Sequence, residues 1–127
     1  MPVRGIRGAT VADADTAEAI RTASRELLLA LIDANGLAPD DVASMIFTLT
    51  PDLTAEAPAR AAREMGWQDA ALMCMAEMNA AGGLERCIRV LIHWNTDKRP
   101  DQIRHVYLHA AGQLRPDRAV RSNGHAA

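Results

Sequence analysis

Arginine is the residue type in this sequence that is best placed to do chemistry. Thirteen of the basic residues are arginines, and Lys98 is the single lysine. A GC-rich genome could produce this bias, but arginine also carries a planar, permanent charge whose shape matches a carboxylate. Arg89 interrupts the most apolar stretch of the chain, 86–94, and Arg7 lies among glycines, where a ligand can approach the backbone closely. Since a buried arginine is costly unless it is paired, Arg89 predicts either a structural ion pair or an anionic ligand.

The other residue types that often do chemistry lack the spacing of a known site. Cys74 and Cys87 are too far apart in the sequence to form a zinc-binding pair. His105 and His109 would share a face only on a helix, whereas their segment is predicted to be a strand. The sequence also shows no nucleophile–base pair and no glycine-rich phosphate loop. It therefore predicts no metal site.

The composition is that of one soluble globular domain. The chain has 127 residues, of which 49% are apolar and 24% charged. Its net charge of −2 and its four aromatic residues argue against binding to nucleic acid or to an anionic membrane. No apolar run reaches transmembrane length and no secretory signal is visible, so we expect a cytoplasmic protein with free thiols.

Hydrophobic periodicity places the candidate residues on a sheet that packs against helices. The order of elements predicts a single α/β (α+β) domain with a mixed β-sheet over residues 1–117, followed by a mobile polar tail, 118–127. The predicted elements are a strand over 3–10, a helix that ends at Asn35-Gly36, a strand over 44–50, a helix over 58–65 that ends at Gly66, and strands over 70–76, 86–94 and 104–108.

Three further features of these elements are predicted. Asp15, with Glu18 three residues later, is predicted to cap the first helix. The segment 86–94 is apolar at nearly every position except Arg89, which predicts burial on both faces of the sheet. The apolar stripe predicted for the first helix consists of Ile20, Ala23, Leu27, Leu28 and Leu31.

Six short stretches of the sequence form a specific combination. They are Val3-Arg4-Gly5-Ile6-Arg7-Gly8-Ala9-Thr10, Thr50-Pro51-Asp52-Leu53, Cys74-Met75-Ala76-Glu77-Met78, Cys87-Ile88-Arg89-Val90, Gln102-Ile103-Arg104-His105-Val106-Tyr107-Leu108 and Leu114-Arg115-Pro116-Asp117. Together they cover residues 3–117, and the combination is far more specific than any one of them. In order and spacing they resemble the chorismate mutases of the AroH class, a small monofunctional trimeric bacterial type.

The resemblance implies a reaction that needs no cofactor. Chorismate rearranges to prephenate in one unimolecular Claisen step, in which a C–O bond breaks as a C–C bond forms. This step serves phenylalanine and tyrosine biosynthesis. The resemblance also implies a homotrimer whose sheets pack into a central pseudo-barrel, with active sites at the subunit interfaces.

The resemblance assigns a role to each candidate residue. Arg89 donates hydrogen bonds to the ether oxygen and to a carboxylate of the substrate and is the main catalytic residue. Arg7 and Tyr107 hold a carboxylate, and Glu77 accepts a hydrogen bond from the ring hydroxyl and orients the ring. Cys74 lies near the same hydroxyl. Other pocket residues implied by the resemblance are Met73, Met75 and Ala76, with Arg63, Leu114 and Arg115 closing the mouth from a neighbouring subunit.

Alternatives remain open at this point. Without the resemblance, Tyr107 would be an ordinary sheet residue, Glu77 a solvated acid and Cys74 a small core residue. The fold is also shared by trimeric imine deaminases, and a decayed mutase could bind a small dianion without catalysis. Two departures from the family, Ala57 near the pocket entrance and Met73 beside the site, concern affinity more than reaction type.

Overall fold

The computed structural model describes residues 1–78 and 83–115, and within these ranges it confirms the predicted order of elements. The predicted tail, 118–127, lies outside them. The strands are β1 (Val3–Val11), β2 (Val42–Leu49), β3 (Ala71–Ala76), β4 (Cys87–Asn95) and β5 (Val106–Tyr107). The helices are α1 (Ala17–Asn35) and α2 (Ala59–Glu64), and single 3-10 turns occur at Pro39–Asp41, Pro100–Gln102 and His109–Gln113.

The five strands form one mixed sheet, as predicted, in the order β3-β2-β4-β1-β5. The central strand β4 is antiparallel to both β1 and β2, whereas the outer pairs β2–β3 and β1–β5 are parallel. Since a parallel pair requires a crossover, α2 fills the β2–β3 connection. Arg89 therefore lies at the centre of the sheet, where both neighbouring strands hold its backbone.

Helix α1 covers one face of this sheet and forms the core with it. Its leucines at 27, 28 and 31 are almost fully buried and pack in one cluster with Ile6, Met45, Phe47 and Ile92 from three strands. The predicted stripe is thus confirmed. Across the described residues, the helices are too short or too polar to cross a lipid bilayer.

The capping residue of α1 is Thr16, so the prediction of Asp15 was wrong by one position. Thr16 has an extended backbone, and its hydroxyl accepts a hydrogen bond from the Ala19 amide at 3.1 Å. Asp15 lies one residue further out, where its carboxylate reaches the next loop instead. It accepts from the Thr54 amide at 2.8 Å, the Thr54 hydroxyl at 2.9 Å and the Ala55 amide at 3.0 Å. These hydrogen bonds, that of the Thr54 amide foremost, lower the pKa of Asp15.

The prediction that β4 is buried on both faces is wrong within one chain. Ile88, Val90, Ile92 and Trp94 point toward the helices and are buried, whereas Arg89, Leu91, His93 and Asn95 are only half-buried. The reason is that the helices cover a single face of the sheet. The other side of the sheet carries Arg89 and, at every second position after it on β4, Leu91, His93 and Asn95. We call this side the open face.

Gly8 marks the closest approach of β1 to the helix. A Cβ atom at this position would lie 2.8 Å from Leu31 Cδ1, 3.2 Å from Leu27 Cδ1 and 3.3 Å from Val90 Cγ1. Because these neighbours belong to a packed core, there is little room for them to move apart.

We expect Gly8→Ala to lower the free energy of unfolding by about 1–3 kcal/mol, the usual range for overpacking a core. Urea denaturation followed by circular dichroism measures this change. Gly5→Ala is the matched control on the same strand, because its Cβ would make only an ordinary contact of 3.6 Å with Leu91. Equal stability of the two variants would contradict the assigned packing.

Candidate active site

A row of paired residues crosses the open face from one edge of the sheet to the other. Met75 on β3 pairs with Thr48 on β2, Thr48 with Arg89 on β4, Arg89 with Ala9 on β1, and Ala9 with Tyr107 on β5. Residues paired in register point to the same side of a sheet. The register thus gathers side chains from all five strands around Arg89.

Four members of this row, Met75, Thr48, Arg89 and Tyr107, line a cleft of about 340 Å³. The cleft contains five residues predicted from the sequence: Arg7, Met75, Glu77, Arg89 and Tyr107. Its size suits a small molecule, and its lining combines apolar strand residues with a few charged groups, as is usual for ligand sites. The remaining lining residues are Gly8, Ile46, Thr48, Val90 and Leu91.

Arg89 and Glu77 form a two-pronged ion pair inside the cleft. Arg89 Nε donates to Glu77 Oε1 at 2.6 Å, and Arg89 Nη2 lies 2.6 Å from Glu77 Oε2. The Glu77 side chain is only 10% exposed and that of Arg89 is 31% exposed, so water screens the pair incompletely. The hydrogen bond from Arg89 lowers the pKa of Glu77, and the same bond raises the pKa of Arg89.

Two further contacts place Glu77 at the end of β3. Its amide donates to the Leu49 carbonyl at 2.7 Å, which continues the β2–β3 pairing one residue beyond the strand. Its Oε1 atom also accepts from the Thr48 hydroxyl at 2.8 Å. Backbone and side chain are therefore both held, and the carboxylate is directed at Arg89.

Arg7 and Tyr107 form the other side of the cleft. Tyr107 is 1% exposed and packs against Ala9 and Ala111. Arg7 is exposed, and its backbone amide donates to His105 Nδ1 at 3.0 Å, which ties β1 to the segment before β5. Within residues 1–78 and 83–115, the Arg7 guanidinium forms no ion pair with a carboxylate. Its charge is thus available to an anion in the cleft.

The histidines that share a four-residue spacing do not form a pair. His105 Nδ1 accepts a hydrogen bond from the Arg7 amide, whereas His109 Nε2 lies 2.7 Å from Glu26 Oε1 on α1. No cluster of three or more histidine, cysteine or acidic residues in the described ranges is arranged to hold a metal ion.

Strand alternation separates the predicted residues of β3. Met73 and Met75 pair with Ile46 and Thr48 on the open face, and both methionines are about half exposed. Cys74 instead pairs with Phe47, a core residue that faces the helices. Successive side chains of a strand point to opposite faces, so within one chain the Cys74 thiol lies across the sheet from Arg89. A single chain therefore does not place this thiol in the cleft, where the resemblance expects it near the ring hydroxyl of the substrate. The same alternation applies to Ala76.

The residues predicted to close the mouth do not line the cleft of their own chain. Arg63 is exposed on α2, which packs against α1 and β3. Leu114 is half-buried against the cluster that contains Tyr107. Arg115, the last described residue, is half-buried and has an interaction partner.

Thr48 is a cleft residue that the sequence analysis missed. As a β-branched residue in SMIFTLT, it was accounted for by strand propensity alone. Only the register, which places it between Met75 and Arg89, indicates that its hydroxyl lies in the cleft.

A larger groove on the helix side is chemically unsuited to an anionic ligand. It measures about 570 Å³ and is lined by Asp13, Glu18, Glu26 and His109, among others. Carboxylates repel an anion, whereas the cleft on the open face contains two arginines and one acid. The smaller cleft is therefore the candidate active site.

Comparison with known proteins gives a consistent result. Residues 3–118 match the family described as chorismate mutase type I. The chain is 48% identical to the chorismate mutase AroH of Bacillus subtilis over 124 residues, which is 97% of this chain and 98% of that protein. It is 51% identical to the chorismate mutase AroH of Thermus thermophilus over 116 residues, which is 91% of this chain and 95% of that protein.

The fold agrees with a solved structure of the same kind. A chorismate mutase from Clostridium thermocellum superimposes with a TM-score of 0.84 at 50% sequence identity. The match covers 87% of this chain and 98% of that one. Because the family match and the relatives both extend over nearly the whole sequence, the chain belongs to the type I chorismate mutase family.

Proposed function

We propose that this chain is a chorismate mutase that converts chorismate to prephenate by a Claisen rearrangement and serves phenylalanine and tyrosine biosynthesis. The observation that carries the proposal is the Arg89–Glu77 pair, which is held in a cleft of the open face on a chain of this family. Family membership argues against an imine deaminase. A measurement of catalytic activity on chorismate distinguishes a mutase from a binding module that has lost catalysis.

The main catalytic role in this proposal belongs to Arg89. The ether oxygen of the substrate gains negative charge as its C–O bond breaks, and a cation that is already in place stabilises that charge without reorganisation. The guanidinium has five N–H donors, and the ion pair engages Nε and one donor on Nη2. The other donors remain for the ether oxygen and a carboxylate. Since β4 is the central strand, the position of this cation is set by two neighbouring strands.

Arg7 and Tyr107 supply the positioning part of the mechanism. A flexible enolpyruvyl group must be held in a compact conformation before the new C–C bond can form. Arg7, whose charge faces the cleft, binds a substrate carboxylate, and the Tyr107 hydroxyl donates to the same group. Tyr107 is buried against Ala9, so its ring is rigid and the bound carboxylate is held in one place.

Glu77 is the acceptor for the ring hydroxyl. Its pKa is lowered by Arg89 and by the Thr48 hydroxyl, so it is ionised at neutral pH and can only accept hydrogen bonds. A negative charge there also favours positive charge that develops on the ring. The reaction uses no proton transfer, so the site needs no titrating acid–base pair.

The assembly in this proposal is a homotrimer in which the open faces pack together. Val3 is 55%, Met73 57% and Met75 45% exposed in one chain, which is unusual for large apolar side chains on a sheet. Packing of the open faces would bury them. In this trimer Arg63, Leu114 and Arg115 close the pocket of a neighbouring subunit, and Met73, Cys74 and Ala76 add to the lining of the pocket. A cytoplasmic location remains a prediction that agrees with the two free cysteines.

Incubation of the purified protein with chorismate, followed by the loss of chorismate absorbance in the ultraviolet, tests the activity. We expect a rate well above that of the uncatalysed reaction. Arg89→Ala should lower kcat/KM by about 10²- to 10³-fold, equivalent to about 3–4 kcal/mol, as for other lost oxyanion donors. Arg99→Ala is the control, because Arg99 pairs with Asp101 on the surface and its side chain is 70% exposed. Absence of catalysis by the wild type would contradict the proposed activity. Near-normal turnover by Arg89→Ala would contradict the role of Arg89.

Multi-angle light scattering tests the assembly. We expect a molar mass about three times that of the 13.7 kDa chain. Val3→Glu, which introduces a charge on the open face, should shift the mass toward the monomer, whereas Leu29→Glu on the outer surface of α1 should not. Both side chains are about half exposed in one chain, so the two variants differ mainly in which face of the protein receives the new charge. A wild-type monomer at working concentration would exclude the trimer.

The ion pair also predicts how stability depends on pH. The pKa of Glu77 in the folded state lies below its ordinary value of 4.5, so its stabilising effect is complete above that value. The effect is lost as the pH falls below 4.5 through the lower folded pKa. Urea denaturation between about pH 5 and about pH 3 should therefore show a shallower loss of stability in Glu77→Gln than in the wild type.

Glu85→Gln is the control for this experiment, because the Glu85 side chain is 74% exposed and screened by water. It should keep the wild-type dependence on pH. If Glu77→Gln followed the same curve as Glu85→Gln, the Arg89–Glu77 pair would not hold Glu77 ionised in the folded protein.

A further inference from the structure

We propose that Thr48 is a positioning residue that holds the Glu77 carboxylate in the cleft when Arg89 turns toward a bound substrate. The inference rests on the proposed roles of Arg89 and Glu77. It concerns a residue that neither the sequence motifs nor the proposed mechanism had assigned.

Thr48 is placed for this role by the sheet itself. It lies on β2 between Met75 and Arg89 in the row that crosses the open face. Its hydroxyl donates to Glu77 Oε1 at 2.8 Å, and the same oxygen accepts Arg89 Nε at 2.6 Å. One carboxylate oxygen is thus shared by two donors, one charged and one neutral.

The two donors differ in what a substrate does to them. Arg89 is the cation that the substrate ether and carboxylate require, so hydrogen bonds from its remaining N–H groups to a bound substrate draw the guanidinium away from Glu77. Thr48 carries no charge and gains little from turning to the substrate. As a β-branched residue it has few χ1 positions, and pairing on both sides fixes its backbone. Its hydrogen bond to Glu77 is therefore retained when that of Arg89 weakens.

Glu77 needs such a second donor because it is largely enclosed. Its side chain is 10% exposed, and burial opposes the charged form. If Arg89 moved away and no other donor were present, the carboxylate could turn out of the cleft or take up a proton. Either change would remove the acceptor for the ring hydroxyl.

Three variants separate the hydroxyl from the shape of the side chain. Thr48→Val keeps the branched shape and removes the donor, whereas Thr48→Ser keeps the donor and removes a methyl group. Thr48→Ala replaces Thr48→Val if the valine variant fails to fold, as judged by its thermal unfolding midpoint. We expect Thr48→Val to lower kcat for chorismate about tenfold with little change in KM, the size of one hydrogen bond to a charged group. Thr48→Ser should remain close to the wild type.

A second measurement does not depend on catalysis. The carboxyl carbon of Glu77, followed by NMR in the ligand-free protein from about pH 2 to about pH 7, reports its pKa. We expect this pKa to be higher in Thr48→Val than in the wild type and unchanged in Thr48→Ser, because only the serine variant keeps the donor.

The outcomes distinguish this inference from the proposed function. If the wild type does not turn over chorismate, the proposed function fails, and the NMR comparison alone decides the role of Thr48. An unchanged Glu77 pKa in Thr48→Val would then overturn it, and a raised pKa would support it. If the wild type is active, wild-type kcat in Thr48→Val, or an equal loss in Thr48→Ser, overturns the inference.

Discussion

The ion pair between Arg89 and Glu77 ties the centre of the sheet to the end of its edge strand. Arg89 projects from the middle of β4, and burying its charge without a partner would be strongly destabilising. Glu77 satisfies it with two contacts of 2.6 Å. This pairing requires the carboxylate to lie one residue beyond the end of β3, on the same face of the sheet as Arg89. The order and direction of the strands around the site meet that requirement.

Two parallel connections at the edges of the sheet meet this requirement. The crossover through α2 returns the chain beside β2 in the same direction, so that β3 ends level with Thr48 and Leu49. On the opposite side, β5 runs parallel to β1 and brings Tyr107 next to Ala9. The antiparallel strands β1, β4 and β2 form the rigid centre. The two edge strands thus place Glu77 and Tyr107 on the two sides of one arginine.

The sequence alone predicted the elements and the anomalous arginine, but not its partner. An arginine in an apolar strand must meet an anion, and this follows from residues 86–94 alone. Which acid it meets depends on strand order and register, which link Glu77 to Arg89 only through β2. The importance of Thr48 depends on the same register. Thr16 replaced Asp15 as the cap because a one-residue shift decides which side chain reaches the helix amides. Burial of the second face of β4 is not achieved within one chain, so a pattern local to one strand could not predict what covers it.

The pair is better explained by the proposed reaction than by stability. Apolar residues of similar volume often stabilise a protein as much as a buried ion pair does, or more. The row that contains Arg89 is otherwise suited to such residues, because Met75, Ala9 and Tyr107 share its face. A cation held ready for a developing negative charge cannot be replaced in that way. The charge of Arg89 must also not be neutralised by Glu77 so completely that it no longer attracts a substrate. The partial exposure of Arg89, at 31% against 10% for Glu77, meets both conditions: the carboxylate is fixed on the protein side, and part of the guanidinium faces the cleft.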